Sequence, residues 1–379
     1  MKYLLSPLIL LVTLVAVVPA QAELPFTVTE VAKFDEPWSV AVMPDGRLLV
    51  TEVKGTLFIV NEDGSQSRRV GGMPDVRYGG QGGMGDVVLH PDFEDNHIVY
   101  LSYAEAGVGG TQGAVVARAM LDESGRRPSL SDVEVIWRQY PKLVGYGHYG
   151  HRMLFDDEGY LWITSSDRQK FTTSQDMQSN AGKLIRLHDD GSIPEDNPFV
   201  DYYAQNPLVD DEGVYPQIWS LGHRNVLGLA IDLNDRLWGV EMGPAGGDEL
   251  NLIKRGANYG YPVVSNGDHY DGREMPDHDT RPEFNAPALW WTPVISPGDM
   301  LVYRGKAFAD WRGNALIAGL SSRAIVRVEL NEDGSATEVE RYDMGARIRS
   351  VEEAADGSIW VLEENGTSPG RLLHLTPKP

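Results

Sequence analysis

The stretch GHRMLFDDEGYLWITSSD, residues 150–167, decides the fold. Its first apolar run, Met153 to Phe155, gives way to an acidic turn at Asp157 to Gly159, and a second run, Tyr160 to Thr164, leads to Asp167. Two short runs around a glycine-bearing turn read as a β-hairpin, since strand side chains alternate between faces and glycine accepts turn geometry. A third run, GKLIRLHDDG at 182–191, closes the unit. The same grammar recurs in both directions along the chain. It appears in PWSVAVMPDGRLLVTEVKGTLFIV (37–60), in GMGDVVLHPDFEDNHIVYLSYA (83–104) with Ala114 to Met120, and in NVLGLAIDLNDRLWGVEMGP (225–244) with ELNLIKRG. A fifth copy runs from Asp299 through GNALIAGL to AIVRVEL, and a sixth is IRSVEEAADGSIWVLEE (348–364) closed by GRLLHLTP.

Six imperfect copies spaced by roughly sixty residues predict an all-β chain folded as a six-bladed β-propeller of four-stranded antiparallel sheets. Runs rich in Val, Ile, Leu, Trp and Tyr suit strands buried between neighbouring blades. A parallel β-helix is the competing architecture, but its coils are shorter and more uniform.

Lys2, the apolar run from Leu4 to Val18 and Ala20-Gln21-Ala22 read as a secretory signal peptide over 1–22, cleaved near Ala22. One propeller domain over 23–379 follows, periplasmic or secreted, with no second apolar stretch for stable membrane insertion. The chain has no cysteine, so a buried core and not disulfides must stabilise it after export. A formal net charge of −22 disfavours nucleic acid and anionic lipid as partners and favours divalent cations.

Loops on one face of a propeller converge on its channel, and the polar residues at the starts of the repeats are the candidates for chemistry. His148 and His151 lie in GYGHYGHR, and Asp167 ends the hairpin that follows, which can place a base and its orienting carboxylate in one pocket. Arg224 and Asn225, in LGHRNVLGL, hold the equivalent position in the fourth repeat and suit a carboxylate or a polarised carbonyl. EMGPAGGDELN offers carbonyls at Gly243 and Pro244 and carboxylates at Asp248 and Glu249; with the Tyr259 phenol, these are oxygen ligands of the kind calcium takes. Gln81 stands in a glycine-rich loop without the lysine of a phosphate loop. Arg347 and Arg349 alternate on the strand opening the last repeat, so both project to one side. Two long insertions, Ser174 to Tyr215 and Gly256 to Pro293, are expected to wall the pocket.

GQGGMGD, GHYGHR, LGHRN, EMGPAGGDELN, NYGYP and RIR, in this order, resemble the soluble pyrroloquinoline-quinone (PQQ)-dependent aldose sugar dehydrogenases of the glucose/sorbosone dehydrogenase family, over essentially the whole mature chain. The resemblance implies an exported quinoprotein that oxidises the C1 hydroxyl of a sugar to a lactone and passes electrons to an external acceptor. It makes His148 the base, Asp167 its orienting partner and Arg224 the group against the quinone oxygens, with Asn225 and Gln81 on the polar edge. Tyr270, Arg347 and Arg349 match further cofactor contacts. Gly243 and Pro244 would offer carbonyls to a calcium at the cofactor, and Glu249 and Tyr259 match a second, structural calcium. The chain departs from the pattern at Leu320-Ser321-Ser322-Arg323, where a lysine is usual and the cofactor carboxylate either meets Arg323 or lacks that contact, and at His151 and Ser166, where small residues are usual. A calcium-dependent propeller lactonase or esterase and a non-catalytic glycan- or protein-binding propeller are the alternative readings, and both a monomer and a homodimer fit the sequence.

Overall fold

The structure, a computed structural model, describes residues 23–206, 216–366 and 369–378; the expected signal segment lies outside them. Six four-stranded antiparallel sheets form six blades. In chain order, their innermost strands are Pro37–Val42, Met84–Leu89, Gly150–Phe155, Val226–Ile231, Pro297–Val302 and Arg347–Glu353, and these pack side by side in a closed ring. Leu161–Ser165, Lys183–Leu187 and Ala315–Gly319 are buried along their whole length, as expected of strands covered on both faces by neighbouring blades.

The core is divided among the six blade interfaces. Leu49 and Leu57 of blade 1 meet Val99 and Leu101 of blade 2, and Tyr100 and Val116 of blade 2 meet Leu161 and Ile163 of blade 3. Trp162 and Leu184 pack on Leu229 and Leu237, Trp238 and Leu250 on Ile317 and Val326, and Leu316 and Ile325 on Val361 and Leu373. Trp360 and Leu362 of blade 6 return to Leu48 and Val50 of blade 1, which closes the circle. Each buried aliphatic side chain contributes about 1.5–3 kcal/mol, so this core can hold together a chain without cysteine.

The outer strand of blade 6 comes from the other end of the chain. Phe26–Phe34 pairs antiparallel with Gly370–Pro377, from Phe26 opposite Pro377 to Phe34 opposite Gly370. The repeats did not foretell this closure, because only the two terminal phenylalanines of FTVTEVAKF are buried and no hairpin precedes it.

Every innermost strand carries a register shift at its first residues against its hairpin partner, for example between Gly150 and Met153 and between Val226 and Gly228. Bulges re-aim side chains, and the residues taken out of register at this end of the ring include Ser39, Asp86, Arg152 and Arg349. Arg152, from the bulge of blade 3, reaches all five other blades. It donates to the Leu227, Gly298 and Arg349 carbonyls at 2.9, 2.6 and 3.1 Å, pairs with Asp86 and Asp299 at 3.2 Å each, and lies 4.0 Å over the Trp38 ring.

Candidate active site

In an antiparallel hairpin the first strand starts where the second ends, so those two points of every blade share one face. Gln81, His148, Arg224 and Asn225 precede innermost strands, Arg347 and Arg349 lie on one, and Asp167, Gly243 and Pro244 follow second strands. The expected residues are therefore collected at one end of the channel by topology alone.

His148 Nδ1 lies 2.7 Å from Asp167 Oδ1, with the side chains 6% and 0% exposed. The carboxylate accepts from Nδ1–H, which leaves the lone pair on Nε2. Among the described residues no hydrogen bond is made to His148 Nε2. The His148 N–H donates to Gln81 Oε1 at 2.8 Å, and the Asp167 N–H donates to the Arg224 carbonyl at 2.9 Å, which ties three blades together.

The two loops holding this pair are strained. His148, His151, Arg168 and Gln169 have φ of +49°, +78°, +57° and +56°. Non-glycine residues in that region cost roughly 1–2 kcal/mol each. Arg168 supplies part of the compensation: buried, it donates to the carbonyls of Gln112, Gly145 and Gly147 at 2.6, 2.6 and 2.9 Å and lies 3.8 Å over the Tyr149 ring. Gly150, at φ +85°, cannot be replaced without strain, since a Cβ there would lie 2.4 Å from the Thr164 carbonyl oxygen.

Arg224 donates Nη1–H to the Met242 carbonyl at 2.9 Å and Nη2–H to the Tyr270 hydroxyl at 3.2 Å. Its backbone N–H is held by Glu241 Oε2 at 2.6 Å. Burial pushes the Glu241 carboxyl up, but His223 and the Arg224 and Asn225 amides outweigh it and hold it below the usual carboxylate range. Arg224 Nε, Asn225 Oδ1 and Asp167 Oδ2 are buried polar atoms without a partner. Such atoms are rare in native proteins, and together they suit a polar ligand.

A cavity of about 360 Å³ lies here, walled by Gln81, Asn225, Arg347 and Arg349 together with Trp38, Tyr149, His151, Met242, Leu320 and Glu364. Burial first, then Arg168 and Arg152, push His151 down to about 3, so its imidazole is neutral. It is stacked on Tyr149 with centroids 5.4 Å apart and meets Trp38 edge-on. Glu364 Oε1 accepts from Arg347 Nη2 at 3.1 Å, and Oε2 accepts from Arg349 Nε at 2.7 Å. Burial raises the Glu364 carboxyl, but the Arg349 and Arg347 guanidiniums prevail and hold it low. Of the two insertions, 256–293 supplies Tyr261 and Tyr270, whose rings flank the Arg224 guanidinium at 5.8 and 5.7 Å.

Two expectations need correction. Arg323 is exposed and outside the cavity wall. The turn before it is pinned to the Ile295 carbonyl by the Ser321 and Ser322 amides, and Leu320 takes the wall position. The Tyr259 phenol is not a free ligand, because it donates to the Leu252 carbonyl at 2.6 Å and accepts from the Lys254 N–H at 2.9 Å.

Asp248 is likewise committed, accepting the Gly243 and Ser296 amides at 2.8 and 2.6 Å, and burial pushes it up to about 6. It thereby fixes the Gly243-Pro244 loop. Glu249 is buried, and Glu241 and Glu249 accept from the same Asn251 amide at 3.0 and 3.2 Å, while Asn251 Oδ1 lacks a donor. Two buried carboxylates and an unsatisfied amide oxygen fit a hard cation. Among the described residues, no group of three or more His, Cys, Asp or Glu is placed to hold a metal.

The profile of the Glucose / Sorbosone dehydrogenase family matches residues 34–374. The chain belongs to this family. It is 35% identical to the aldose sugar dehydrogenase YliI of Escherichia coli K12, over 91% of each chain. The soluble aldose sugar dehydrogenase of E. coli, solved in the apo form, superposes with a TM-score of 0.83 at 34% identity, over 93% of this chain and 100% of that one. The PQQ-bound aldose sugar dehydrogenase of Streptomyces coelicolor does so with a TM-score of 0.75 at 26% identity, over 93% and 98%. Glu364, Glu241, Arg168 and Arg152 are the site and support residues that sequence reading missed. Nothing in their local sequence marks them, since each acts through partners ten or more residues away.

Proposed function

We propose that the protein oxidises aldoses at the C1 hydroxyl to lactones, with PQQ as the bound redox group and a separate molecule as the final electron acceptor. The single observation that carries this reading is the buried His148–Asp167 pair beside a cavity whose wall holds two arginines. Bound PQQ would supply an ortho-quinone able to take up a hydride.

The chain's own residues then have defined tasks. His148 Nε2 takes the proton of the anomeric hydroxyl, and Asp167 keeps the imidazole in the tautomer that can do so. The donor Arg224 Nε and the acceptor Asn225 Oδ1, now unpartnered, would bind the polar edge of the quinone. Arg347 and Arg349 would meet its carboxylates, Tyr270 would cover it next to Arg224, and Gln81 fixes the base by its backbone. Calcium would be held in two places, by the Gly243 and Pro244 carbonyls and by Glu249 with its neighbours. Residues 1–22 would export the chain to the periplasm, and among the described residues no helix is long and apolar enough to cross a membrane.

Product analysis tests the reading. PQQ-loaded protein incubated with an aldose and an artificial electron acceptor should yield the aldonolactone by NMR; hydrolysis of an added lactone without sugar oxidation would favour the lactonase alternative.

A further inference from the structure

One carboxylate in the cavity wall holds two guanidiniums. Glu364 Oε1 accepts from Arg347 Nε and Nη2 at 3.2 and 3.1 Å, and Oε2 accepts from Arg349 Nε at 2.7 Å and from Arg349 Nη2. The fold explains how a single acid reaches both. Arg347 stands opposite Glu364 in the ladder of blade 6, and the register shift between Ile348 and Ser350 leaves Arg349 as the extra residue of the bulge. Bulged residues are re-aimed, so two arginines two apart converge on the same carboxylate.

Each guanidinium spends its Nε–Nη2 edge on Glu364, and among the described residues neither Nη1 makes a hydrogen bond. All three side chains line the cavity. The Arg349 carbonyl also accepts from Arg152 Nη2 at 3.1 Å, which brings a third cation near.

We propose that Glu364 is a positioning residue for carboxylate recognition: it locks the inner edges of Arg347 and Arg349 and leaves their Nη1 groups as paired donors for an anionic ligand in the cavity. This rests on the reading above that the cavity takes a multiply carboxylated cofactor. Without Glu364 the arginines repel one another and lose the fixed fork that makes guanidinium–carboxylate recognition strong. Removing a negative charge also favours an incoming anion, so the two effects oppose and the sign of the result decides between them.

The test titrates PQQ, and separately benzene-1,3,5-tricarboxylate as a redox-inert probe, into calcium-supplied full-length mature protein, followed by calorimetry and by tryptophan fluorescence. The proteins are wild type, Glu364→Gln, Glu364→Asp, Arg347→Ala/Arg349→Ala, and that double variant with Glu364→Gln. Positioning predicts a dissociation constant raised about tenfold or more by Glu364→Gln for both ligands, partial rescue by Glu364→Asp, and less than about twofold further effect once both arginines are gone. Unchanged or tighter binding in Glu364→Gln would mean that the acid merely competes with ligand, and an undiminished effect without the arginines would mean that it acts elsewhere; either overturns the proposal. Should Glu364→Gln not fold, Glu364→Asp against the arginine variants gives the same comparison. Wild type that binds the tricarboxylate but not PQQ would refute the cofactor reading alone, and Glu364 would be judged on the probe series. Wild type that binds neither overturns both.

Discussion

His148 Nδ1 sits 2.7 Å from Asp167 Oδ1, and both side chains are buried. In such a setting the carboxylate fixes which nitrogen carries the proton. Asp167→Asn keeps the shape of the side chain but can present an N–H to Nδ1, which favours the wrong tautomer. The expected outcome is a fall in kcat by roughly 10²–10⁴-fold, with PQQ affinity little changed, measured by steady-state kinetics on the reconstituted protein.

The base itself is separable from the binding wall. His148 is not in the wall of the 360 Å³ cavity, whereas Gln81, Asn225, Arg347 and Arg349 are. His148→Ala should therefore abolish sugar oxidation while PQQ binding stays within about threefold. Equal loss of binding and turnover, by fluorescence titration alongside kinetics, would assign His148 to binding.

Arg152 is the side chain on which all six blades converge, and Asp86 and Asp299 are both buried against it. Arg152→Met would leave these two carboxylates without their cation. Breaking buried pairs in this way costs about 3–5 kcal/mol, so the urea midpoint should fall sharply. A shift below about 1 kcal/mol would show that the channel stays hydrated enough to replace the guanidinium.

The propeller was legible because its hairpins repeat: Asp45-Gly46, Asp157 to Gly159 and Asp356-Gly357 each announce a turn between runs whose alternation is local information. The placement of the candidate residues was legible where the repeat gave a position at one end of the channel, as with His148, Asp167, Arg224 and Arg349. What could not be read depends on partners remote in sequence. Phe26–Phe34 closes blade 6 across the whole chain; Glu364 is defined by a bulge on the opposite strand; and Arg323 departs from the wall because the Ile295 carbonyl captures the turn before it. The Tyr259 phenol looked like a ligand because its hydroxyl's two backbone partners are not visible in residue type.

The channel should make stability fall with pH. Burial, with Asp299 and Asp86 nearby, pushes Glu352 up to about 8 from an ordinary 4.5, and burial pushes Asp299 up to about 6 from 3.8. Between the ordinary and folded values the folded state holds a proton that the unfolded chain has released. The contribution to stability is thus complete below the ordinary value and is lost as pH rises through the folded one. Glu352→Gln keeps a neutral side chain at every pH and should exceed wild type by roughly 2–4 kcal/mol at pH 8.5 while matching it near pH 4.5. Parallel denaturation midpoints for the two proteins across that range would rule the effect out.

The most direct measurement of the central claim is reconstitution. Mature protein stripped with a chelator is supplied with PQQ and calcium, separately and together, and assayed for aldose-dependent reduction of an artificial electron acceptor. The account predicts turnover only when both are present, with His148→Ala inactive under the same conditions. Aldose oxidation that proceeds without PQQ, or failure of PQQ to bind with calcium present, would contradict it.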